Sequence, residues 1–251
     1  MPKVRLDTLL VERGLAASRE RARALVLAGQ VRVAGQVTAK AGTLVDPAAS
    51  LDVVTPDHPY VGRGGLKLAH ALDAFGLDPS GLRALDIGAS TGGFTDVLLR
   101  RGARVVVALD VGRGQLAWPI RSDPRVVVIE GMNARNLSPA QFPEGLREFD
   151  LITIDVSFIS LRLVLPAVLP LVAHGGSVIA LVKPQFEAGR DAVGPGGIVT
   201  DPVVHARVLD DVRASAQQAG FRAIADTPSP ITGAEGNREF FLLLRSKETE
   251  P

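Results

Sequence analysis

Two charged residues in this 251-residue chain close runs that are otherwise apolar. Asp155 ends the run in "LITIDVSF", and Lys183 ends the run in "VIALVKPQFE". Lys67 follows a Gly-rich stretch at the start of a helical segment, and Glu239 opens the last apolar run in "REFFLLLR". A lysine at the end of a buried strand loses its hydration and stays charged only if it is paired. The four groups therefore either form structural ion pairs, lysines with carboxylates, or surround a reacting centre where a proton is handled.

A second stretch, "LDIGASTGGFT" (85–95), speaks to what else would sit there. A strand that ends in a Gly-rich turn and feeds a helix suits a nucleotide-like ligand. Gly88, Gly92 and Gly93 let backbone approach closely, with Ala89, Ser90 and Phe94 completing the turn. The dinucleotide fingerprint is missed, because Ser90 stands where its middle glycine belongs. Asp86 beside the turn would repel a pyrophosphate but suits an amine-bearing or cationic ligand, which favours S-adenosylmethionine over NAD. Asp110 ends the next strand, where a carboxylate can accept both ribose hydroxyls of either cofactor. Met132 and Asn133 follow the third strand. They either pack on adenine and bond its edge, or are a buried methionine and a turn-stabilising asparagine.

These residues need elements to hold them. Apolar runs at 84–87, 105–109, 126–129, 151–154, 178–182, 221–224 and 240–244 read as strands. Helical patterns at 94–101, 161–172 and 203–219 lie between them, an alternation that predicts a doubly wound parallel α/β sheet. The uncharged stretch 163–182 is broken by Pro166, Pro170, Gly175 and Gly176, so it reads as helix end, turn and strand rather than a membrane span. Upstream, Leu6, Leu9, Leu10 and Arg13 share helical spacing up to Gly14, and Ser18 caps "RERARALVLAG". "VRVAGQV" predicts a hairpin about Ala34 and Gly35, and "LDVVT" a further strand. The Pro- and Gly-rich "TPDHPYVGRGG" breaks the composition. The expected organisation is a small α+β domain at 1–58, a linker at 59–66 and a sheet domain at 67–247.

Composition narrows the class. Hydrophobic residues make up 46% and charged residues 22%, as in a packed globular protein. The formal net charge is +1, so any nucleic-acid surface must be local. The absence of cysteine excludes disulfides, thiolate zinc sites and a cysteine nucleophile. His58, His70, His174 and His205 show no ligand spacing, and no metal is expected. The opening "MPKVRLDTLLVERG" has charges scattered through it, unlike a secretory signal, so a cytoplasmic protein is expected.

"LDIGASTGGFTDVLL", "DLITIDVSFISL", "LVKPQFE" and "GNREFFLLL" together resemble the TlyA (haemolysin A) family of ribosomal RNA methyltransferases. The sheet domain is similar to FtsJ-like ribose 2′-O-methyltransferases, with a Rossmann-like class I sheet. "RLDTLLVERGLAASRERARALVLAGQVRVAGQV" resembles the small RNA-binding domain of ribosomal protein S-four and pseudouridine synthases. The resemblance spans nearly the whole chain. It implies a Lys–Asp–Lys–Glu tetrad at Lys67, Asp155, Lys183 and Glu239, with Glu187 and Glu235 as rival acids. It also implies S-adenosylmethionine as methyl donor and a cytidine ribose in small- or large-subunit RNA as acceptor. On this reading Lys183 orients and deprotonates the hydroxyl while Asp155 and Glu239 align the lysines.

Between Arg13 and Lys40 six basic residues face a single acid, Glu20. Arg19 and Arg23 share a helix face, which is either an ordinary solvated face or a phosphate-binding one. The resemblance favours phosphate, with Arg5, Arg19, Arg21, Arg23, Arg32 and Lys40 as candidate RNA contacts, joined by Arg63 in the linker. Aromatic residues are only 4%, so RNA shape is expected to outweigh stacking. A non-catalytic RNA-binding assembly factor and an NAD oxidoreductase remain alternatives, separable by methyl-transfer assay and cofactor titration. Pore formation, suggested by the haemolysin name, has no amphipathic or secretory segment behind it. "GRDAVGPGGIVTDP" is either a mobile lid or a long loop.

Overall fold

A computed structural model describes residues 3–27, 29–38, 40–54, 58–233 and 235–246. Residues 1 and 2, residue 28 at the end of the second expected helix, residues 55–57 and residue 247 lie outside the described residues. The chain divides into two compact units, Met1–Pro59 and Tyr60–Pro251.

The first unit runs β1 (Val4–Arg5), α1 (Leu6–Glu12), α2 (Arg19–Leu27), β2 (Val31–Val33), β3 (Gln36–Val37), β4 (Leu44–Val45) and β5 (Leu51–Val53). Leu6, Leu9 and Leu10 of α1 meet Ala22, Leu25 and Val26 of α2 over Val31 and Val45. The Ser18 hydroxyl accepts the Arg21 N–H at 3.2 Å, as expected of a cap. Ala34 and Gly35 both have positive φ, 50° and 80°, the backbone of a tight two-residue hairpin turn. Arg13 follows α1 and donates to the carbonyls of Pro47 and Ala49 instead of extending the helix face. The pairing of β1 with β4 was not visible in the sequence, since each is only two residues long.

The second unit holds α3 (Gly64–Phe75), β6 (Arg83–Ile87), α4 (Gly93–Arg100), β7 (Val105–Asp110), α5 (Trp118–Arg121), β8 (Val126–Glu130), β9 (Phe149–Ile154), α6 (Leu161–Val168), β10 (Val172–Val182), α7 (Pro184–Glu187), α8 (Pro202–Gln218), β11 (Phe221–Pro228) and β12 (Phe240–Ser246). Of the stretch expected as linker, Gly64, Gly65 and Leu66 already form the first turn of α3. The sheet order is β8-β7-β6-β9-β10-β12-β11. All neighbours are parallel except β12, which runs antiparallel to both β10 and β11. The wholly parallel expectation fails there because the chain between β11 and β12 is too short for a helical crossover.

Both faces of the sheet are covered, so its strands are nearly continuous apolar runs. Leu85, Ile87, Ile152 and Val178 pack against Val164 and Val168 of α6 and Val208 and Val212 of α8. Ala84, Val106, Ile179 and Phe241 pack on the other side, against Leu68 and Leu72 of α3 and Leu98 of α4. The helix expected at 161–172 stops at Val168 and tightens into a turn, Leu169–Leu171, around Pro170. Among the described residues no helix is long and apolar enough to cross a membrane.

Candidate active site

The chain enters the sheet at β6, moves outward through β7 and β8, then returns to lay β9 on the other side of β6. That reversal opens a crevice beyond the carboxyl ends of β6 and β9, where open α/β sheets hold ligands. Gly88 follows β6 with φ of 86°, and a Cβ there would stand 2.3 Å from the Asp155 carbonyl oxygen. Only glycine fits that turn. The Asp155 N–H donates to the Ile87 carbonyl at 2.9 Å, and the Gly88 and Ala89 N–H groups both reach the Leu109 carbonyl. Gly93 serves a different contact: its Cβ would lie 3.0 Å from the Gly65 nitrogen, so it lets α4 pack closely on α3.

A cleft of about 730 Å³ occupies the crevice. Gly88, Ser90, Asp110, Met132, Asn133 and Asp155 line it, all of them expected from the sequence. A smaller recess of about 120 Å³ shares Gly88, Ser90 and Asp155 and adds Ala89, Gly93 and Phe94. Gly92, at the cap of α4, lines neither. The Asp110 carboxylate accepts the Ser90 N–H on one oxygen at 2.8 Å and the Gly112 N–H on the other at 2.7 Å. Each oxygen keeps a lone pair for a ligand hydroxyl. The Asn133 Oδ1 accepts the Arg135 N–H at 2.9 Å, the turn-stabilising alternative, and its NH2 is left for a ligand.

Asp86 requires a correction. It was expected to face an amine-bearing ligand, but it is fully buried behind the turn. Thr95 donates to one of its oxygens at 2.6 Å and Thr153 to the other at 3.1 Å. Alternation along β6 puts it on the Ala84 side, facing α4. Burial pushes its carboxyl up to about 7, against the pull of the two threonine hydrogen bonds, and the charge of Asp155 adds to the rise. Asp86 supports the turn and is not a wall of the cleft.

The four charged residues form two pairs. Lys183 Nζ lies 2.6 Å from Asp155 Oδ1, and Lys67 Nζ lies 2.5 Å from Glu239 Oε2. Among the described residues no ion pair or hydrogen bond joins one pair to the other. The Asp155–Lys183 contact is short in distance but lacks hydrogen-bond geometry, and Asp155 Oδ1 has no hydrogen-bond partner. Asp155 lines both cavities, whereas Lys183, Lys67 and Glu239 line neither, and Lys183 meets the shared wall through its contact with Asp155. The Glu239 carboxylate also rests against Gly233, where a Cβ would come within 2.5 Å of its Oε1. Glu235 makes no such pair with a lysine among the described residues.

Ser157, Phe158 and Asn237 were not among the residues expected from the sequence, and the role of Glu187 differs from the one expected. The Ser157 hydroxyl accepts from Lys183 Nζ at 2.9 Å. Phe158 sits on the cleft rim with φ of 63° and a ring 90% exposed, its centroid 5.1 Å from that of Phe186. A non-glycine residue held at positive φ beside a candidate site is a signal, but one visible only in the backbone. Glu187, a rival acid in the sequence, accepts the Ser160 hydroxyl at 2.6 Å and the Leu161 N–H at 2.7 Å. Its burial raises its carboxyl pKa. It thereby ties the segment after Asp155 to the one after Lys183. Asn237 pins the Gly-rich loop, accepting the Val199 N–H and donating to the Gly197 carbonyl, both at 2.9 Å.

In the first unit Arg5, Arg19 and Arg23 converge on Asp7, an acid that precedes the basic stretch 13–40. Arg21 meets His58, Arg32 lies on β2, and Lys40 is exposed. Arg63 directly precedes α3 in the second unit. Among the described residues no group of three or more His, Asp or Glu could hold a metal ion.

The FtsJ-like methyltransferase family model matches residues 60–246, and an S4 domain model matches residues 4–50. The chain is 48% identical over 246 residues to the 16S/23S rRNA (cytidine-2′-O)-methyltransferase TlyA of Mycobacterium tuberculosis, covering 98% of this chain and 91% of that one. It belongs to the TlyA family of FtsJ-like methyltransferases. Hemolysin A of Brachyspira hyodysenteriae is 40% identical over 238 residues, 94% of this chain and 98% of its own. A solved Streptococcus thermophilus structure is 46% identical at a TM-score of 0.77, covering 99% of this chain and 90% of that one. The fold alone extends to an S-adenosylmethionine-dependent methyltransferase from Mesorhizobium loti, 17% identical at a TM-score of 0.54, which covers 74% of this chain and 100% of that one. These FtsJ-like and S4 elements follow the order that the sequence motifs implied.

Proposed function

We propose that this protein methylates the ribose 2′-hydroxyl of a cytidine in small- or large-subunit ribosomal RNA, or in both, with S-adenosylmethionine as donor, in the cytoplasm where ribosomes are made. The observation that carries the reading is the Lys183 side-chain nitrogen, held 2.6 Å from Asp155 beside the glycine turn. The kinship with a cytidine-2′-O-methyltransferase supports the acceptor. The cleft has the size of a site for a nucleoside-sized ligand, and Asp110 offers a free lone pair on each oxygen for its ribose hydroxyls. Met132 supplies an apolar wall for a base.

When bound, the cofactor supplies a methyl on a positively charged sulfur, which departs as a neutral thioether once the ribose oxygen holds the methyl. The chain's own task is to place that oxygen in line and receive its proton. To act as a base Lys183 must be the neutral amine, whose Nζ then donates to Ser157 and keeps one lone pair for the 2′-hydroxyl proton, with the Asp155 carboxylate alongside. Orientation supplies most of the acceleration, and proton removal by Lys183 adds ~10²–10⁴-fold. Lys67 and Glu239, almost fully buried, complete the tetrad, with Glu239 aligning Lys67 at the start of α3 as Asp155 aligns Lys183. The exposed Phe158 ring offers a face on which an unstacked base can rest.

The test uses ribosomal subunits that lack the modification. Purified protein should add 2′-O-methyl groups at defined cytidines, mapped nucleotide by nucleotide. Lys183→Ala should lower transfer by about 10²–10⁴-fold while cofactor binding, measured by calorimetry, persists. Transfer at near wild-type rate by that variant removes Lys183 from the mechanism, and no transfer by the wild-type protein leaves an RNA-binding factor with a methyltransferase fold.

A further inference from the structure

We propose that Asp7 is a positioning residue for the candidate RNA-contacting arginines Arg5, Arg19 and Arg23, holding them together as one preformed phosphate cradle. The inference rests on the RNA-modifying reading above.

Asp7, at the start of α1, is completely buried, yet it bears a charge. Arg5 grips both of its oxygens in a fork, Nε on Oδ1 at 3.0 Å and NH2 on Oδ2 at 2.8 Å. Arg19 NH2 reaches Oδ2 at 3.4 Å, and Arg23 Nε approaches it at 3.7 Å. These contacts hold the Asp7 carboxyl well below the usual carboxylate range, the Arg5 hydrogen bonds contributing most. One buried carboxylate therefore gathers three guanidinium groups that would otherwise repel one another.

The geometry leaves the cluster open outward. The three arginine side chains are 44%, 56% and 60% exposed, while the acid beneath them is not exposed at all. Three positive charges over one negative leave a net excess of two facing solvent. Backbone packing limits their movement as well. Arg19 and Arg23 stand four apart on α2, whose Ala22, Leu25 and Val26 are locked into the core. Arg5 lies over Gly42, where a Cβ would come within 3.3 Å of its NH1. A guanidinium has five N–H donors, so those turned away from Asp7 remain for phosphate oxygens, and a side chain already held in place loses little rotamer freedom on binding.

The alternative is that Asp7 only staples β1 to α1. The two ideas predict opposite signs. Asp7→Asn removes a negative charge, so simple attraction of RNA to net charge predicts tighter binding. Loss of a positioning residue predicts weaker binding, because the arginines spread apart.

The experiment measures binding of the full-length protein to an end-labelled ribosomal RNA stem-loop by fluorescence anisotropy, across a salt series. Asp7→Asn should weaken binding about 5–10-fold and lower the salt slope by about one to two phosphate contacts. Arg19→Gln and Arg23→Gln should each weaken wild-type binding but have little further effect in the Asp7→Asn background. Binding by Asp7→Asn that is equal or tighter, with an unchanged slope, overturns the cradle. Should circular dichroism show Asp7→Asn unfolded, the Arg19→Gln/Arg23→Gln double variant decides: a coupled loss supports the cradle, and strict additivity overturns it. A wild-type protein that does not bind the RNA overturns the RNA reading itself, and the cradle with it.

Discussion

Gly88 and Asp155 touch backbone to backbone, at a separation that leaves no room for a Cβ on Gly88. This contact joins the glycine turn after β6 to the residue that holds Lys183, so the two cannot shift independently. Gly88→Ala meets both this clash and an unfavourable positive φ. It is expected to weaken S-adenosylmethionine binding and to lower methyl transfer by about 10²-fold, read by calorimetry and by transfer of labelled methyl. Transfer that survives with full cofactor affinity would show the contact to be incidental.

The Lys67–Glu239 pair separates stability from activity. Glu239→Ala strands the buried ammonium of Lys67 and should lower the unfolding free energy by about 3–5 kcal/mol. The double variant Lys67→Met/Glu239→Leu, apolar and of similar volume, should recover most of that stability in denaturant melts and little of the methyl transfer. Recovery of both together would reduce the pair to a structural strut.

Asp86 sets a pH dependence of stability. In the unfolded chain its carboxyl ionises at its ordinary value of 3.8, and in the folded protein at about 7. Between those values the folded form keeps a proton that the unfolded chain has lost, so this group's contribution to stability falls as pH rises, then levels off. Asp86→Asn removes the titration. Its stability relative to wild type should therefore grow from about pH 4 to about pH 7 and stay constant above, in urea melts at a series of pH values. A difference that does not change with pH would contradict the buried carboxyl described here.

Glu187 links the segments that follow Asp155 and Lys183 through Ser160 and Leu161. Glu187→Ala leaves two donors unsatisfied and should cost about 1–3 kcal/mol of stability. It should also release Phe158 from Phe186 and reduce kcat more than it raises KM for the cofactor. Glu187→Gln should rescue much of both, since its carbonyl can accept the Leu161 N–H and the Ser160 hydroxyl can reverse to accept from its amide. Equal failure of the Ala and Gln variants would make the negative charge, rather than the tether, the requirement.

Sequence alone determined the strand ends. A carboxylate or lysine that terminates a doubly buried apolar run lies at an end of its strand, and the carboxyl ends of the strands of an α/β sheet are where ligands bind. This made Asp155, Lys183 and Asp110 legible, and the Gly-rich turn with them. Tertiary structure decided which lysine met which carboxylate, because sheet order and the start of α3 bring Lys67 to Glu239 across 172 residues of chain. It also turned Asp86 inward, although the alternation of Ala84 and Asp86 against Leu85 and Ile87 carried that information unread. Asp7 has Arg5 beside it in sequence but gathers Arg19 and Arg23 only through the packing of α1 on α2. Local pattern reports which residues are buried or lie at an end, whereas pairing between charges depends on distances that only the folded chain creates.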